Sequence, residues 1–135
     1  MRNLRLGIVA FLATLLVVGL FAVATASDKK AVCHEGKKCT CIGTQDCFYS
    51  CKDKGCIFKC QGTGDCNLSC KNGGCEATSA GTGDTTLDCP GNDCSLKCVG
   101  TGDCKITGCT KNCSIKCVGT GDCSQTCTDK SCTTK

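Results

Sequence analysis

Cysteine returns every 19 residues in this chain, with Cys56, Cys75, Cys94, Cys113 and Cys132 at one phase of the period. Between them runs Gly-Thr-Gly-Asp, at Gly62 to Asp65, Gly81 to Asp84, Gly100 to Asp103 and Gly119 to Asp122; the first copy reads Gly43-Thr44-Gln45-Asp46. A fixed period of this length is the signature of one small unit stacked on itself. With 20 cysteines in 135 residues, sulfur is expected to hold the units together.

Each unit contains two alternating stretches. The first reads cysteine, x, apolar, x, cysteine, as in Cys56, Phe58, Cys60 or Cys113, Ile115, Cys117. The second follows the glycine-rich turn, as in Cys47, Tyr49, Cys51 or Cys66, Leu68, Cys70. Residues two apart share one face of a strand. The opposite face then carries Lys59, Lys97, Lys116, Ser69, Thr107 and Thr126. The fold expected is all-β: a small disulfide-stapled β-solenoid of about five 19-residue coils, with two short strands per coil. Its units are 37–55, 56–74, 75–93, 94–112 and 113–131, with a partial end at 132–135 and a tail at 27–36 before them. Stacked at the strand spacing, the coils make a rod of roughly 20–25 Å. A string of antiparallel hairpins is the rival arrangement. Identical faces at a constant period stack without register conflict, which favours the solenoid.

Residues 1–26 read as a secretory signal peptide: Arg2 and Arg5, an apolar run from Ile8 to Val23, and the small residues Ala24-Thr25-Ala26. That run is shorter than the ~20 residues a membrane-spanning helix needs. The expected location is therefore extracellular, with no membrane attachment after cleavage. Without Arg2 and Arg5, 14 lysines face 12 acidic residues, a net charge of +2. This near neutrality, without a dense basic run or aromatic platforms, argues against nucleic acid as a partner. Beyond the leader the aromatic residues are only Phe48, Tyr49 and Phe58. A chain so poor in large apolar side chains relies on disulfides in an oxidising compartment.

A coupled loss points to the pairing. Other units have cysteine at the positions of Ser79 and Thr85; the third has neither. Losing both together leaves no orphan thiol if these positions are partners. The scheme is then Cys41–Cys47, Cys60–Cys66, Cys98–Cys104 and Cys117–Cys123 across the Gly-Thr-Gly-Asp turns. Across the other turns it gives Cys51–Cys56, Cys70–Cys75, Cys89–Cys94, Cys109–Cys113 and Cys127–Cys132, and Cys33–Cys39 completes it. A rival scheme links outer cysteines within a coil, such as Cys56–Cys70, but strands Cys132 far from the cysteines left over. Sequence alone does not fix connectivity. Gly108 stands where cysteine is expected and Cys109 follows, which calls for a local bulge.

Cysteine spacings such as Cys39-x-Cys41 also suit metal thiolates, but an oxidising compartment consumes thiolates and the single histidine, His34, lies outside the repeats. No metal or other cofactor is expected at the cysteines. Asp46, Asp65, Asp84, Asp103 and Asp122 form a ladder down one edge, with Thr44, Thr63, Thr82, Thr101 and Thr120 as a parallel rank. Aspartates in glycine turns cap backbone N–H groups of the same turn; weak calcium binding is the second reading of this ladder. Asn67-Leu68-Ser69 and Asn112-Cys113-Ser114 match the glycosylation pattern, making Asn67 and Asn112 candidate acceptors.

No catalytic set stands out, so the chain reads as a secreted, non-enzymatic repeat protein. It would present a rigid repetitive surface to an extracellular protein, a polysaccharide or further copies of itself. In shape, though in no motif, the expected rod resembles the disulfide-threaded β-helical antifreeze proteins of insects, which carry Thr-x-Thr ranks on a flat face. Thr126-Cys127-Thr128 is the single such triplet here. Ice binding is thus one alternative, and a secreted defence or host-interaction effector is another.

Overall fold

The computed structural model describes residues 28–127 and 129–135. The leader expected over residues 1–26 and Thr128 of the threonine triplet lie outside the described residues. Twelve strands alternate between two parallel sheets. The first sheet stacks β1 (Lys29–Cys33), β3 (Cys47–Cys51), β5 (Cys66–Ser69), β7 (Thr85–Asp88), β9 (Cys104–Thr107) and β11 (Cys123–Gln125). The second stacks β2 (Lys38–Gly43), β4 (Ile57–Gly62), β6 (Glu76–Ser79), β8 (Ser95–Cys98), β10 (Ser114–Cys117) and β12 (Thr133–Thr134). Odd strands go to one sheet and even strands to the other, so the chain winds as a β-solenoid with two strands per coil.

The 19-residue period becomes the strand register. Cys47 pairs with Cys66, Cys66 with Thr85, and Thr85 with Cys104. On the other sheet Lys59 pairs with Thr78, Thr78 with Lys97, and Lys97 with Lys116. The residues expected as an N-terminal tail depart from this plan. Lys29–Cys33 form β1, which pairs with β3 at an offset of 18 residues, Lys29 opposite Cys47. The turn after Cys33 is one residue shorter than the corresponding turn after Cys51, and this breaks the period there. With β1 at one end and β12 at the other, the solenoid has about six turns.

The core is a narrow seam between the sheets. Leu68, Leu87 and Ile106 point inward from the first sheet, and Phe58, Leu96 and Ile115 from the second. Tyr49 is also buried, and its hydroxyl donates to the Thr40 carbonyl at 3.1 Å. Disulfides close both sides of the seam. All ten pairs reached from the coupled loss at Ser79 and Thr85 are bonded, with Cα separations from 5.8 to 6.6 Å, and no described cysteine is free. Those separations lie within the ordinary range for a bridge.

The extra residue before Cys109 lies outside the strands. β9 ends at Thr107, and Gly108 turns the chain with φ +71°. The following bridge, Cys109–Cys113, spans four residues in sequence where its equivalents span five. A left-handed glycine at the strand exit and a shorter turn absorb the shift, so no bulge forms in the ladder.

Candidate functional site

The Gly-Thr-Gly-Asp corners are in close backbone contact from coil to coil. A Cβ on Gly100 would overlap the Gly81 carbonyl oxygen, and one on Gly119 would overlap that of Gly100. Only glycine permits this approach. The threonine rank lies in these turns: Thr63, Thr82 and Thr101 donate their backbone N–H to the carbonyls of Gly43, Gly62 and Gly81, while Thr44, Thr63, Thr82, Thr101 and Thr120 are all exposed.

The aspartates do cap backbone N–H groups, but those of the next coil and not of their own turn. The Asp65 N–H donates to Asp46 Oδ1 at 2.9 Å, that of Asp84 to Asp65 Oδ1 at 2.9 Å, that of Asp103 to Asp84 Oδ1 at 2.9 Å, and that of Asp122 to Asp103 Oδ1 at 2.8 Å. The cause is local. Each aspartate carbonyl already accepts from the first strand residue of the preceding coil, as Asp84 O does from the Cys66 N–H. The aspartate N–H lacks a carbonyl of its own in that ladder, and the neighbouring carboxylate supplies the acceptor. Among the described residues, the groups of three metal-ligand side chains converging within 4.8 Å are all cysteines, each held in a disulfide. No trio of these carboxylates converges in that way.

The opposite edge uses different side chains for the same purpose. Asn92 Oδ1 accepts from the N–H of Thr110 at 2.8 Å and of Lys111 at 3.0 Å. Asn112 has φ +53°; its N–H donates to Ser131 Oγ at 2.8 Å and its Nδ2 to Asp93 Oδ1 at 2.9 Å. The glycosylation candidate Asn112 is thus engaged within this edge, whereas Asn67 stands exposed on β5. His34 Nδ1 lies 3.1 Å from Asp53 Oδ2, which also accepts from the Glu35 N–H at 3.4 Å. The hydrogen bond with His34 and then that from Glu35 hold the Asp53 carboxyl below the usual aspartate range. Backbone and side-chain hydrogen bonds from Ser131 do the same for Asp129.

Two outward faces remain. On the first sheet, Phe48, Asn67, Thr86 and Lys105 make one rank, and Ser50, Ser69, Asp88 and Thr107 the next. A shallow groove of about 310 Å³ opens there around Phe48, Asn67, Thr86 and Asp88. Lys30 Nζ stands 5.8 Å from the centre of the Phe48 ring. On the second sheet, hydroxyl, lysine and valine positions run in three ranks: Ser95 and Ser114, Lys97 and Lys116, Val99 and Val118. Sequence reading places Lys59, Lys97 and Lys116 outward but does not reveal the groove, because that depends on which strands become neighbours.

No family model, curated protein or solved structure matches the chain.

Proposed function

We propose that this is a secreted, non-enzymatic scaffold whose stacked coils display a repeated surface for extracellular binding or assembly. The carrying observation is the in-register stacking of chemically mixed outward ranks on a frame closed by ten disulfides. A frame of this kind keeps its ligand-facing groups at fixed spacing, which lowers the ordering cost of binding. The leader-like residues 1–26 support export, and the disulfides suit the oxidising compartment that export leads to. The non-enzymatic reading is supported by the chemistry available: all described cysteines are bonded to one another, and His34 pairs with Asp53 at an exposed turn. Partners of this scaffold are an extracellular protein, a polysaccharide or a second copy. The outward ranks mix lysine, serine, valine and acidic groups, which suits such partners better than ice.

Removing one whole coil tests the reading. Deletion of residues 94–112 leaves Cys89 and Cys113 flanking the turn 90–93, so a bridge can re-form there. The scaffold reading expects a folded, fully oxidised rod whose binding to glycan arrays, extracellular matrix proteins or its own kind is weaker than that of the full chain. Thermal hysteresis that falls with coil number would replace it by ice binding. Enzymatic turnover that survives the deletion unchanged would refute it.

A further inference from the structure

Two successive coils of the second sheet present the same outward pattern, and the next coil repeats its hydroxyl and lysine positions. Ser95, Lys97 and Val99 lie beside Ser114, Lys116 and Val118, with Ser114 opposite Ser95 and Lys116 opposite Lys97. Thr133 continues the hydroxyl rank opposite Ser114. The Lys135 N–H donates to Ile115 O, and Lys135 O accepts from the Cys117 N–H, so Lys135 continues the lysine rank beyond Lys116. All three lysines are exposed, as are Val99 at 46 % and Val118 at 59 %. Among the described residues the single ion pair is that of His34 with Asp53, so these three ammonium groups have no carboxylate within 4.0 Å.

Like charges directly opposite one another on adjacent strands repel. Here the repulsion recurs over three coils at the ~4.8 Å strand spacing. A chain of negative charges laid along the rank converts it into attraction. The rank is one lysine wide and runs along the rod axis, which fits a linear polymer better than a membrane plane. The outward positions of β8, β10 and β12 carry no aromatic ring on which a base could stack, which disfavours single-stranded nucleic acid. The flanking hydroxyls can hydrogen-bond sugar hydroxyl groups, and the valines can contact the C–H face of a sugar ring.

We infer that this hydroxyl–lysine–valine face binds a linear acidic polysaccharide, bearing carboxylate or sulfate groups, along the axis of the rod. The inference rests on the scaffold reading and names its partner and its face.

The test uses the oxidised full chain with four probes: polygalacturonate, dextran sulfate, single-stranded DNA and phosphatidylserine vesicles, with neutral dextran as the blank. Two variants of equal net charge are compared. One is Lys97→Gln with Lys116→Gln and Lys135→Gln; the other is Lys52→Gln with Lys71→Gln and Lys105→Gln, away from this face. The expected result is binding to one or both acidic polysaccharides, weakened by salt. The row variant should bind about tenfold more weakly, from the loss of three exposed ion pairs, and the control variant within about twofold of the parent. Equal loss in both variants, or no binding by the parent to either polysaccharide, overturns the inference. So does row-dependent binding that is tighter to DNA or to vesicles. If the parent ignores both acidic polysaccharides while the 94–112 deletion still weakens binding to another target, the inference fails and the scaffold reading stands.

Discussion

Thr85 donates its hydroxyl to Ser79 Oγ at 2.9 Å, across the turn that a disulfide spans in the coils on either side. Both side chains are buried, at 1 % and 4 % exposure. The hydrogen bond keeps two polar groups satisfied in the place of two sulfurs. Thr85→Val would leave the Ser79 hydroxyl without this partner in the seam. The expected cost is about 2 kcal/mol, read as a lowered denaturant midpoint with the disulfide map unchanged.

Restoring the bridge should have the opposite effect. In the pair Ser79→Cys with Thr85→Cys, the two thiols would sit where other coils hold theirs, so an eleventh disulfide is expected to form without rearrangement. A loop this short adds about 2 kcal/mol by the chain-entropy account. Thiol titration before reduction should find no free sulfur, and unfolding should shift to higher denaturant.

The aspartate ladder separates charge from hydrogen bonding. Asp84→Asn keeps an oxygen to accept from the Asp103 N–H while removing one of a line of like charges, so stability should hold or rise slightly. Asp84→Ala removes the acceptor, and a loss of about 1 kcal/mol is expected. Hydrogen exchange at the Asp103 amide reads the difference directly: fast in the alanine variant and protected in the asparagine variant.

Gly100→Ala should be far more damaging. Its new methyl would meet the Gly81 backbone, and backbone cannot move aside as a side chain can. The corner must open, breaking the Thr101 N–H to Gly81 O bond beside it. A loss of about 3 kcal/mol or more is expected, together with poor recovery of correctly oxidised protein.

Acid should act on the edge where His34 meets Asp53. The folded Asp53 carboxyl is held below its ordinary value, so its contribution is complete above the usual aspartate range and lost as pH falls through the lowered folded value. In His34→Ala the Asp53 midpoint should move up towards the ordinary value. Carboxyl NMR across the acid range measures the shift; an unchanged midpoint would show that the hydrogen bond with His34 is not its main cause.

Much of this fold is legible in the sequence because period, alternation and sulfur agree. Cysteine flanking one apolar residue marks the inward face, and the paired absence at Ser79 and Thr85 identifies partners that spacing alone leaves open. β1 escapes such reading because Lys29–Cys33 carries one cysteine and no glycine corner, and joins the ladder at an offset of 18. The destination of each aspartate was also hidden. Whether Asp84 caps its own turn or the next depends on which N–H the stacking leaves without a carbonyl, and that is settled only once the coils lie side by side. The lysine rank follows the period, with Lys97, Lys116 and Lys135 each 19 residues apart, but only the backbone bonds of Lys135 with Ile115 and Cys117 put it beside Lys116.

The coil-to-coil acceptor has a consequence for how such a protein changes over generations. Each repeat carries the carboxylate its successor needs and the amide its predecessor satisfies, and the bridges across the turns re-form between any two consecutive units. A gene that gains or loses one 57-nucleotide copy therefore yields a chain whose junction is already complete. Rod length, and with it the number of displayed groups, becomes a quantity that selection can adjust in whole steps while the aspartate-to-amide contact keeps its form.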